Sequence, residues 1–598
     1  MIASPVQPPS AVSAVADRFP ALLADLRDHV TRDPSSARFQ APPRSHRTID
    51  RPTHLTLLNV SDPAAVLDAC ERSAKPVVHC LPYAWQFLHF LGNEHAAAPV
   101  AHSNYTPLVL LPLQFSGHLQ SWLGSLPPET WPWEFGEPGH FDDPRQSELA
   151  SQFFRQMLAL LANRQEQLRD DVARQYEGST SPADVLRAGS RPLRTLVVAF
   201  QGSAYQQFCA RDITAGLQEI GIDARACIVS TSPSQGIEIL RAVQEFSPDL
   251  LFANGRGRES FPLLPRNLGI LSWDQDHVLC SDRTFAGKMA PRDRLILMLE
   301  DWLEDARLGG VPPDRVAYIN LGTNTSLYAP RAEFSASPKT DDHDEADVEG
   351  RILFVGNYHP FDTYRRIIGF EKLPGELQRI MLRARDRLAE WIDARQADEP
   401  FIIPDCDELL ESSAAEIGLR FNGSVADRLL VTRYFRYRIA HLLVREKYLV
   451  ALADLRPAVF GRGWEHLPAL AGLARPEVEN GPRLRELIHR AAINLHLHTW
   501  TVHHPRLYDT AAAGGFLLVG RVPEKNPLSS VFVPRSAPDS VAELDDFGSI
   551  PELRRKIRFY LSRPELRREM SRRAVERVAR EHPMSARMRQ VRAFLARG

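Results

Sequence analysis

Six cysteines are present (Cys70, Cys80, Cys209, Cys227, Cys280, Cys406), yet no two keep a C-x-x-C spacing. Thiols scattered in this way form neither a zinc finger nor a disulfide framework, and they read as small buried side chains in a reducing compartment. No stretch of about 18 apolar residues occurs, so no helical membrane span is expected. The opening MIASPVQPPSAVSAVADRFP has no basic segment leading into an apolar one. It is not read as a secretory signal, and the cytoplasm is the expected compartment. Net charge is close to nil at -2, so no global basic field draws nucleic acid or anionic lipid. No internal repeat of fixed period is visible.

What remains is an ordinary globular composition, 44% hydrophobic and 24% charged over 598 residues. One core does not organise that length, so two to four domains are expected. Residues 1–50, rich in Pro, Ser and Arg, read as a flexible arm with one helix near Ala21–Val30. Residues 51–190 read as an accessory α/β region. Short apolar runs (His54–Val60, Lys75–Cys80, Pro107–Leu111) alternate there with helical stretches, ending in an amphipathic helix near Glu148–Tyr176. Its loop Gly124–His140 sets Trp and Phe among Pro and Gly, which suits either a binding surface or a packed irregular loop.

From Arg191 the pattern sharpens. Thr195–Phe200, Ala224–Val229 and Asp249–Ala253 are strand-length apolar runs separated by helical periodicity over Gln206–Ile220 and Gln235–Phe246. Asn267–Trp273 and Val316–Asn320 read as later strands around a helix over Asp293–Ala306. Strands alternating with helices of this length imply βαβ units and a parallel sheet, so 191–331 forms one Rossmann-like domain. The polar, acidic segment 332–350 reads as a linker. A second α/β domain over 351–598 opens with Arg351–Gly356 and is interrupted by a helical insert at about 370–455. It resumes at Ala458–Gly461, continues through Ile493–His498 and Phe516–Gly520, and closes in two or three Arg-rich helices after Pro551. Two such domains leave a cleft where the carboxyl ends of their sheets face each other, the usual ligand position in open α/β sheets.

The densest group of chemistry-bearing residues is NLHLHTWTVHHPRLYDTAAAGGF over Asn494–Phe516. Alternation in Ile493–His498 predicts one buried and one polar strand face. A helix then starts at Pro505, the favoured first helical position, with Arg506 and Asp509 on one face. A helix start beside an arginine suits a diphosphate, through free N–H groups and a bidentate cation, and Asp509 could accept from ribose hydroxyls. An Arg–Asp pair capping an exposed helix is the plain alternative. His496, His498, His503 and His504 invite a metal reading, but no carboxylate or Cys keeps a familiar ligand spacing with them, so no metal site is expected. His498 reads instead as a sugar or phosphate contact.

Arg506-Leu-Tyr-Asp509-Thr-Ala-Ala-Ala513-Gly514-Gly515-Phe-Leu-Leu-Val519 resembles the R-x-[FY]-E-x-x-A-x-G-x-x-L/V segment of CgeB-like bacterial glycosyltransferases (glycosyl transferases group 1). Ile352–Asn357 is similar to the opening strand of that family's C-terminal domain, and Val459-Phe-Gly461-Arg-Gly463-Trp464 to its "vfGrGw" turn. Phe559-Tyr-Leu with His582 and Arg587 resembles its closing helices, and Pro248–Phe252, Ile270–Asp274 and Tyr318–Gly322 its N-terminal domain. The resemblance covers about 191–598. It implies a GT-B fold, two Rossmann-like domains facing a central cleft, that binds a nucleoside diphosphate sugar mainly through the C-terminal domain, without cofactor or metal. It also implies site roles. Arg506 lies near the diphosphate, Asp509 on the ribose, Gly514 and Gly515 at a close approach, Gly461 and Gly463 around the base, and Gly356 and Asn357 at the phosphates, with Trp464 of the same turn also counted as nucleotide-sugar-binding. The family's Glu is Asp509 here, one methylene shorter.

Arg365 and Arg366, after the first strand of the second domain, could reach the pyrophosphate as leaving-group charge develops. In Ser272–His277, Asp276 or His277 could act as general base for an acceptor held by the first domain. The acceptor could be a protein, a lipid-linked glycan or a small molecule, recognised in part by 51–190. A dehydrogenase is disfavoured, since Phe200-Gln-Gly202-Ser-Ala has no G-x-G-x-x-G pattern. A non-catalytic GT-B scaffold remains the alternative.

Overall fold

The computed structural model describes residues 47–49, 56–59, 63–72, 77–81, 90, 95–102, 105–109, 159, 162–163 and 165–597, except 230–234, 331–347, 395–403, 499–500, 522–527 and 536–540. The expected helix at Ala21–Val30, the aromatic loop Gly124–His140 and most of the linker lie outside these residues. So does about half of the helix near Glu148–Tyr176, of which 165–175 is helical.

The accessory region holds a four-stranded sheet ordered β1-β2-β3-β4, made of Arg47–Ile49, Thr56–Asn59, Val77–Leu81 and Tyr105–Val109. β1 is antiparallel to β2, the other pairs are parallel, and α1 (Pro63–Arg72) and α2 (Ala97–Ala101) fill the crossovers.

The first lobe is a six-stranded parallel sheet, β10-β9-β8-β7-β5-β6. Its strands are β5 (Arg194–Phe200), β6 (Asp223–Val229), β7 (Leu250–Asn254), β8 (Gly269–Asp274), β9 (Arg294–Leu297) and β10 (Val316–Tyr318). β7, β8 and β9 are buried along their whole length, as expected of strands covered by helices on both faces. Around them pack α3 (Pro182–Ala188), α4 (Ala204–Glu219), α5 (Gln235–Phe246), α6 (Phe285–Lys288), α7 (Trp302–Leu308) and α8 (Thr325–Tyr328). Ser203 caps α4, its side chain accepting from the Gln206 N–H. The expected helix over Asp293–Ala306 is instead β9 followed by α7. The run Arg-Leu-Ile-Leu is buried at every position, and so short an apolar run has no periodicity that separates strand from helix.

The second sheet, β13-β12-β11-β14-β15-β16, is also wholly parallel. It comprises β11 (Ile352–Val355), β12 (Ala458–Phe460), β13 (Ala474–Arg475), β14 (Ile493–His496), β15 (Leu517–Gly520) and β16 (Asp545–Phe547). Chain order reverses between β11 and β14, which opens a crevice at their carboxyl ends. The insert follows α9 (Phe361–Ile367) as α10 (Gly375–Ala394), α11 (Cys406–Glu416), α12 (Val425–Tyr434), a π-helical turn Phe435–Ala440 and α13 (His441–Val450). Then come α14 (Pro482–Arg490), α15 (Pro505–Ala512), α16 (Ile550–Leu561), α17 (Pro564–Glu581) and α18 (Met584–Ala596). The two lobes are Rossmann-like and face a common cleft, the arrangement of a GT-B fold.

The last helix crosses back to the first lobe. Met584, Met588, Val591, Phe594 and Leu595 of α18 share one apolar core with Ile213 and Leu217 of α4. A Cβ on Gly216 would stand 2.8 Å from the Met584 side chain, so glycine is what lets the two helices touch. The domain read as 351–598 therefore lends its final turns to its neighbour. Arg587 fixes this crossing by donating from Nε to the Leu321 carbonyl at 3.0 Å, and Thr323 bridges to Pro583.

Candidate functional site

A cavity of about 650 Å³ lies between the lobes. Its second-lobe wall is built at the crevice between β11 and β14. Gly356 and Asn357 leave β11, His498 follows β14, and Pro505, Arg506 and Asp509 come from α15. Its first-lobe wall carries Tyr205, Phe208, Gln275 and Asp276. The Gln275 amide oxygen accepts from the Tyr205 hydroxyl at 2.6 Å and the Asn254 amide at 3.2 Å, which fixes its orientation.

Arg506 donates from Nη2 to Asn480 Oδ1 at 3.1 Å, while its buried Nη1 has no hydrogen-bond partner. Buried guanidinium nitrogens are normally satisfied, so this one is open to an incoming acceptor. The helix start itself differs from expectation. Pro505 has no N–H, and the Arg506 N–H is given to His504 Nδ1 at 3.2 Å, so the imidazole caps the helix. α15 thus offers its dipole and the Arg506 side chain rather than bare amides. Asp509 is buried and accepts from the Thr323 hydroxyl at 2.6 Å. Burial pushes its carboxyl up to about 7, with Arg506 acting the other way. Asp212, bonded by the Asn324 amide at 2.9 Å, is raised to about 6 by burial.

The floor is basic. His441, His498 and His504 line it with Arg438 and Arg445. Ring centroids lie 4.6 Å apart for His441 and His498 and 4.2 Å for His498 and His504. Burial, then the neighbouring bases, holds all three imidazoles far below their ordinary value. His496, 5.4 Å from His498, is lowered to about 3, again by burial first, and its buried Nε2 is unbonded. Both faces of this strand are therefore buried, the polar face predicted from alternation (Asn494, His496, His498) included. Arg445 is lowered to about 10 by burial and donates from Nε to the Leu497 carbonyl at 3.2 Å.

Several anticipated site residues have other work. His277 sits outside the cavity lining, its Nε2 2.7 Å from Asp305 and its ring packed on Trp302 and Tyr437. That carboxylate is also paired with Arg433 at 2.8 Å, so His277 is a buried strut, not a base facing an acceptor. Arg365 and Arg366 end α9; Arg365 pairs with Glu371 at 3.4 Å, Arg366 is exposed, and neither lines the cavity. Gly463 and Trp464 are structural. A Cβ on Gly463 would meet the Tyr358 carbonyl at 2.1 Å, and Trp464 donates to the Gly356 carbonyl at 2.6 Å while stacking on Tyr358. Gly514 and Gly515 lie behind the site. Gly514 ends α15 at φ +75°, and a Cβ on Gly515 would stand 2.5 Å from Ile488 and 2.6 Å from Asn494.

Gly461 lines the cavity and is also a packing glycine, since a Cβ would stand 2.2 Å from the Gly356 carbonyl. Asn357 staples the same approach, accepting from the Arg462 N–H at 2.9 Å and donating to Glu477 at 3.2 Å. Asp276 reaches solvent through the cavity, and the protein around it raises its carboxyl, with Arg438 opposing. Arg438, His441 and Arg445 were not anticipated. Their spacing of three and then four residues is one helical face, which was the available signal.

Among the described residues one trio, His277, Cys280 and Asp305, brings three potential metal ligands within 4.8 Å. Burial raises the Cys280 thiol well above its usual value. The trio lies outside the cavity lining. No helix among the described residues is long and apolar enough to cross a membrane.

Residues 442–593, about a quarter of the chain, match the model of a family described as glycosyl transferase-like. This segment contains α13 from its second residue onward and the crevice residues from Gly461 to Asp509. No curated protein matches the chain. Among solved structures, a glycosyltransferase from Rickettsia africae is similar at 9% identity and a TM-score of 0.35, over 68% of this chain and 98% of its own. Sucrose-phosphate synthase from Thermosynechococcus elongatus is similar at 11% and 0.35, over 67% and 99%. Anabaena HepE, crystallised with UDP-glucose, is similar at 12% and 0.34, over 68% and 99%.

Proposed function

We propose that this chain is a glycosyltransferase of the CgeB-like kind, which moves a sugar from a nucleoside diphosphate sugar to an acceptor entering from the first lobe. One observation carries the reading. At the crevice of the second lobe, Arg438 of the π-helical turn, Arg445 of α13 and Arg506 at the start of α15 converge on one cavity, and Arg506 keeps a buried nitrogen without a partner. The family match over 442–593 supports it.

In this reading the pyrophosphate lies against Arg506, Arg445 and Arg438, with the dipole of α15 adding to their field. As the glycosidic bond breaks, charge accumulates on the leaving diphosphate, and cations already desolvated and fixed meet it without reorganisation. No metal held by the protein is needed for this step. The free oxygen of Asp509 accepts from the ribose hydroxyls, while Thr323 holds the other oxygen and bridges the lobes. Asp276 stands on the opposite wall. Its raised pKa brings a carboxylate nearer the range in which it can take a proton from an acceptor hydroxyl. The acceptor is a protein, a lipid-linked glycan or a small molecule, and the reaction belongs to the cytoplasm.

A thermal-shift panel of UDP, GDP and ADP tests the proposal. A ligand at about 100 times its dissociation constant stabilises the folded chain by about 2.7 kcal/mol. At least one diphosphate raises Tm, and Arg506→Ala removes the shift. If none does, the reading is wrong.

A further inference from the structure

We propose that Asn480 is a positioning residue for the diphosphate. It holds the Arg506 guanidinium by one nitrogen, leaves the other to the ligand and, being neutral, leaves the charge of the arginine uncancelled. The inference rests on the proposed function and assigns a residue that lies outside the Asn494–Phe516 motif.

The geometry comes first. Asn480 stands between β13 and α14, 26 residues before Arg506, and its Oδ1 accepts from Arg506 Nη2 at 3.1 Å. Both side chains line the cavity, and Arg506 Nη1 is buried without a hydrogen-bond partner. A guanidinium is planar, so a bond at one nitrogen limits where the other can turn. The loop that carries Asn480 is itself fixed. Gly481 has φ +115° and gives its N–H to the Tyr328 hydroxyl of α8 at 3.3 Å, and α14 starts at Pro482. Arg485 of α14 adds a second tie to α8, donating from Nη1 to the Leu327 carbonyl at 2.8 Å. An arginine that is free loses rotamer freedom when it grips an anion, and one already held loses less.

The chemistry of position 480 matters as much as its place. Glu477, Val478, Glu479 and Asn480 all line the cavity; Val478 is buried, Asn480 half-buried and both glutamates exposed. Glu477 is engaged by the Arg462 guanidinium and the Asn357 amide. Asp276 stands on the opposite lobe, with Arg438 as the cation that acts on its carboxyl. Asp509, on the same helix as Arg506, interacts with it electrostatically and takes its hydrogen bond from the Thr323 hydroxyl. The cavity thus has four carboxylates, and the side chain bonded to Arg506 is an amide instead. A carboxylate of the same shape at 480 would bond the same nitrogen, cancel its charge and stand as a like charge beside an entering phosphate.

The test is titration calorimetry of the full chain with UDP, GDP and ADP, followed by Asn480→Ala and Asn480→Asp with whichever diphosphate the parent binds. Loss of the bond to Arg506 in Asn480→Ala weakens binding by about tenfold. Asn480→Asp keeps shape and bond, yet weakens binding by about a further tenfold or more, because the new charge opposes the phosphates. That order separates positioning from packing, since a merely structural role would make the isosteric Asp the milder change. Melts without ligand show whether each variant is folded, and Asn480→Glu carries the same charge if Asn480→Asp does not fold. Asn480→Ala binding as tightly as the parent overturns the inference, as does an acidic variant that binds as tightly as Asn480→Ala or tighter. Either result leaves the proposed function standing. A parent chain that binds none of the three diphosphates removes the proposed function and this inference together.

Discussion

Gly461 and Asp509 line the same cavity and answer to different physics. Gly461 has φ +141°, and a Cβ would lie 2.2 Å from the Gly356 carbonyl. Gly461→Ala therefore meets backbone strain and overlap together, and should lose at least about 2 kcal/mol in urea unfolding. An unchanged midpoint would mean that β11 and β12 can separate at no cost. Asp509 is an electrostatic matter. Its folded pKa, about 7, lies above that of an unfolded carboxyl, so the folded chain keeps a proton the unfolded chain has released. The stability this contributes is complete below about pH 4 and is lost as pH rises through about 7. Asp509→Asn removes that loss. In melts without ligand, the Tm of the variant relative to the parent should climb between about pH 4 and 7; a flat difference would mean that the carboxyl is ionised without penalty. The Arg506–Asp509 pair was legible from spacing. That its neighbour His504 takes up the first helix amide was not, because a cap depends on loop geometry.

Among the elements, strands were the most legible. β5, β7 and β8 announce themselves as apolar runs because both faces are covered. β13 and β16, two and three residues long, carry too few side chains to show a pattern. The helical insert was visible as a block, yet its contribution to the cleft was not. Arg438, His441 and Arg445 make one basic face, which also describes a solvated helix, and only tertiary packing turns it inward. A further element is held by a buried ion pair. Arg258, after β7, makes two bonds of 2.6 Å to Asp293, and that carboxylate also accepts the Ile270 and Ala290 N–H groups. Removing one partner of such a pair leaves a buried charge, so Arg258→Ala should cost about 3 to 5 kcal/mol in chemical unfolding. A loss under about 1 kcal/mol would show that water reaches Asp293 once the arginine is gone.

Across the whole molecule, the lobes are not independent beads. α18 belongs to the second lobe by sequence and to the first by packing, with Met588 and Val591 fully buried in the shared core. The boundary read from the acidic linker marks where the chain has no periodicity and says nothing of a helix that returns some 250 residues later. A chain ending at residue 583 should therefore lose stability in its first lobe. Hydrogen exchange in α4 would rise by orders of magnitude, and a peptide of 584–598 would restore part of the protection. Unaltered exchange in α4 would mean that α18 is an appendage.

The most direct test of the central claim, that Arg506 and its basic neighbours grip two linked phosphates between the lobes, is the thermal shift of the parent chain and of Arg506→Ala with the panel of nucleoside diphosphates. The account predicts a rise in Tm for the parent with at least one of them and none for the variant. A parent chain indifferent to all of them, or a variant that responds as fully as the parent, would contradict it.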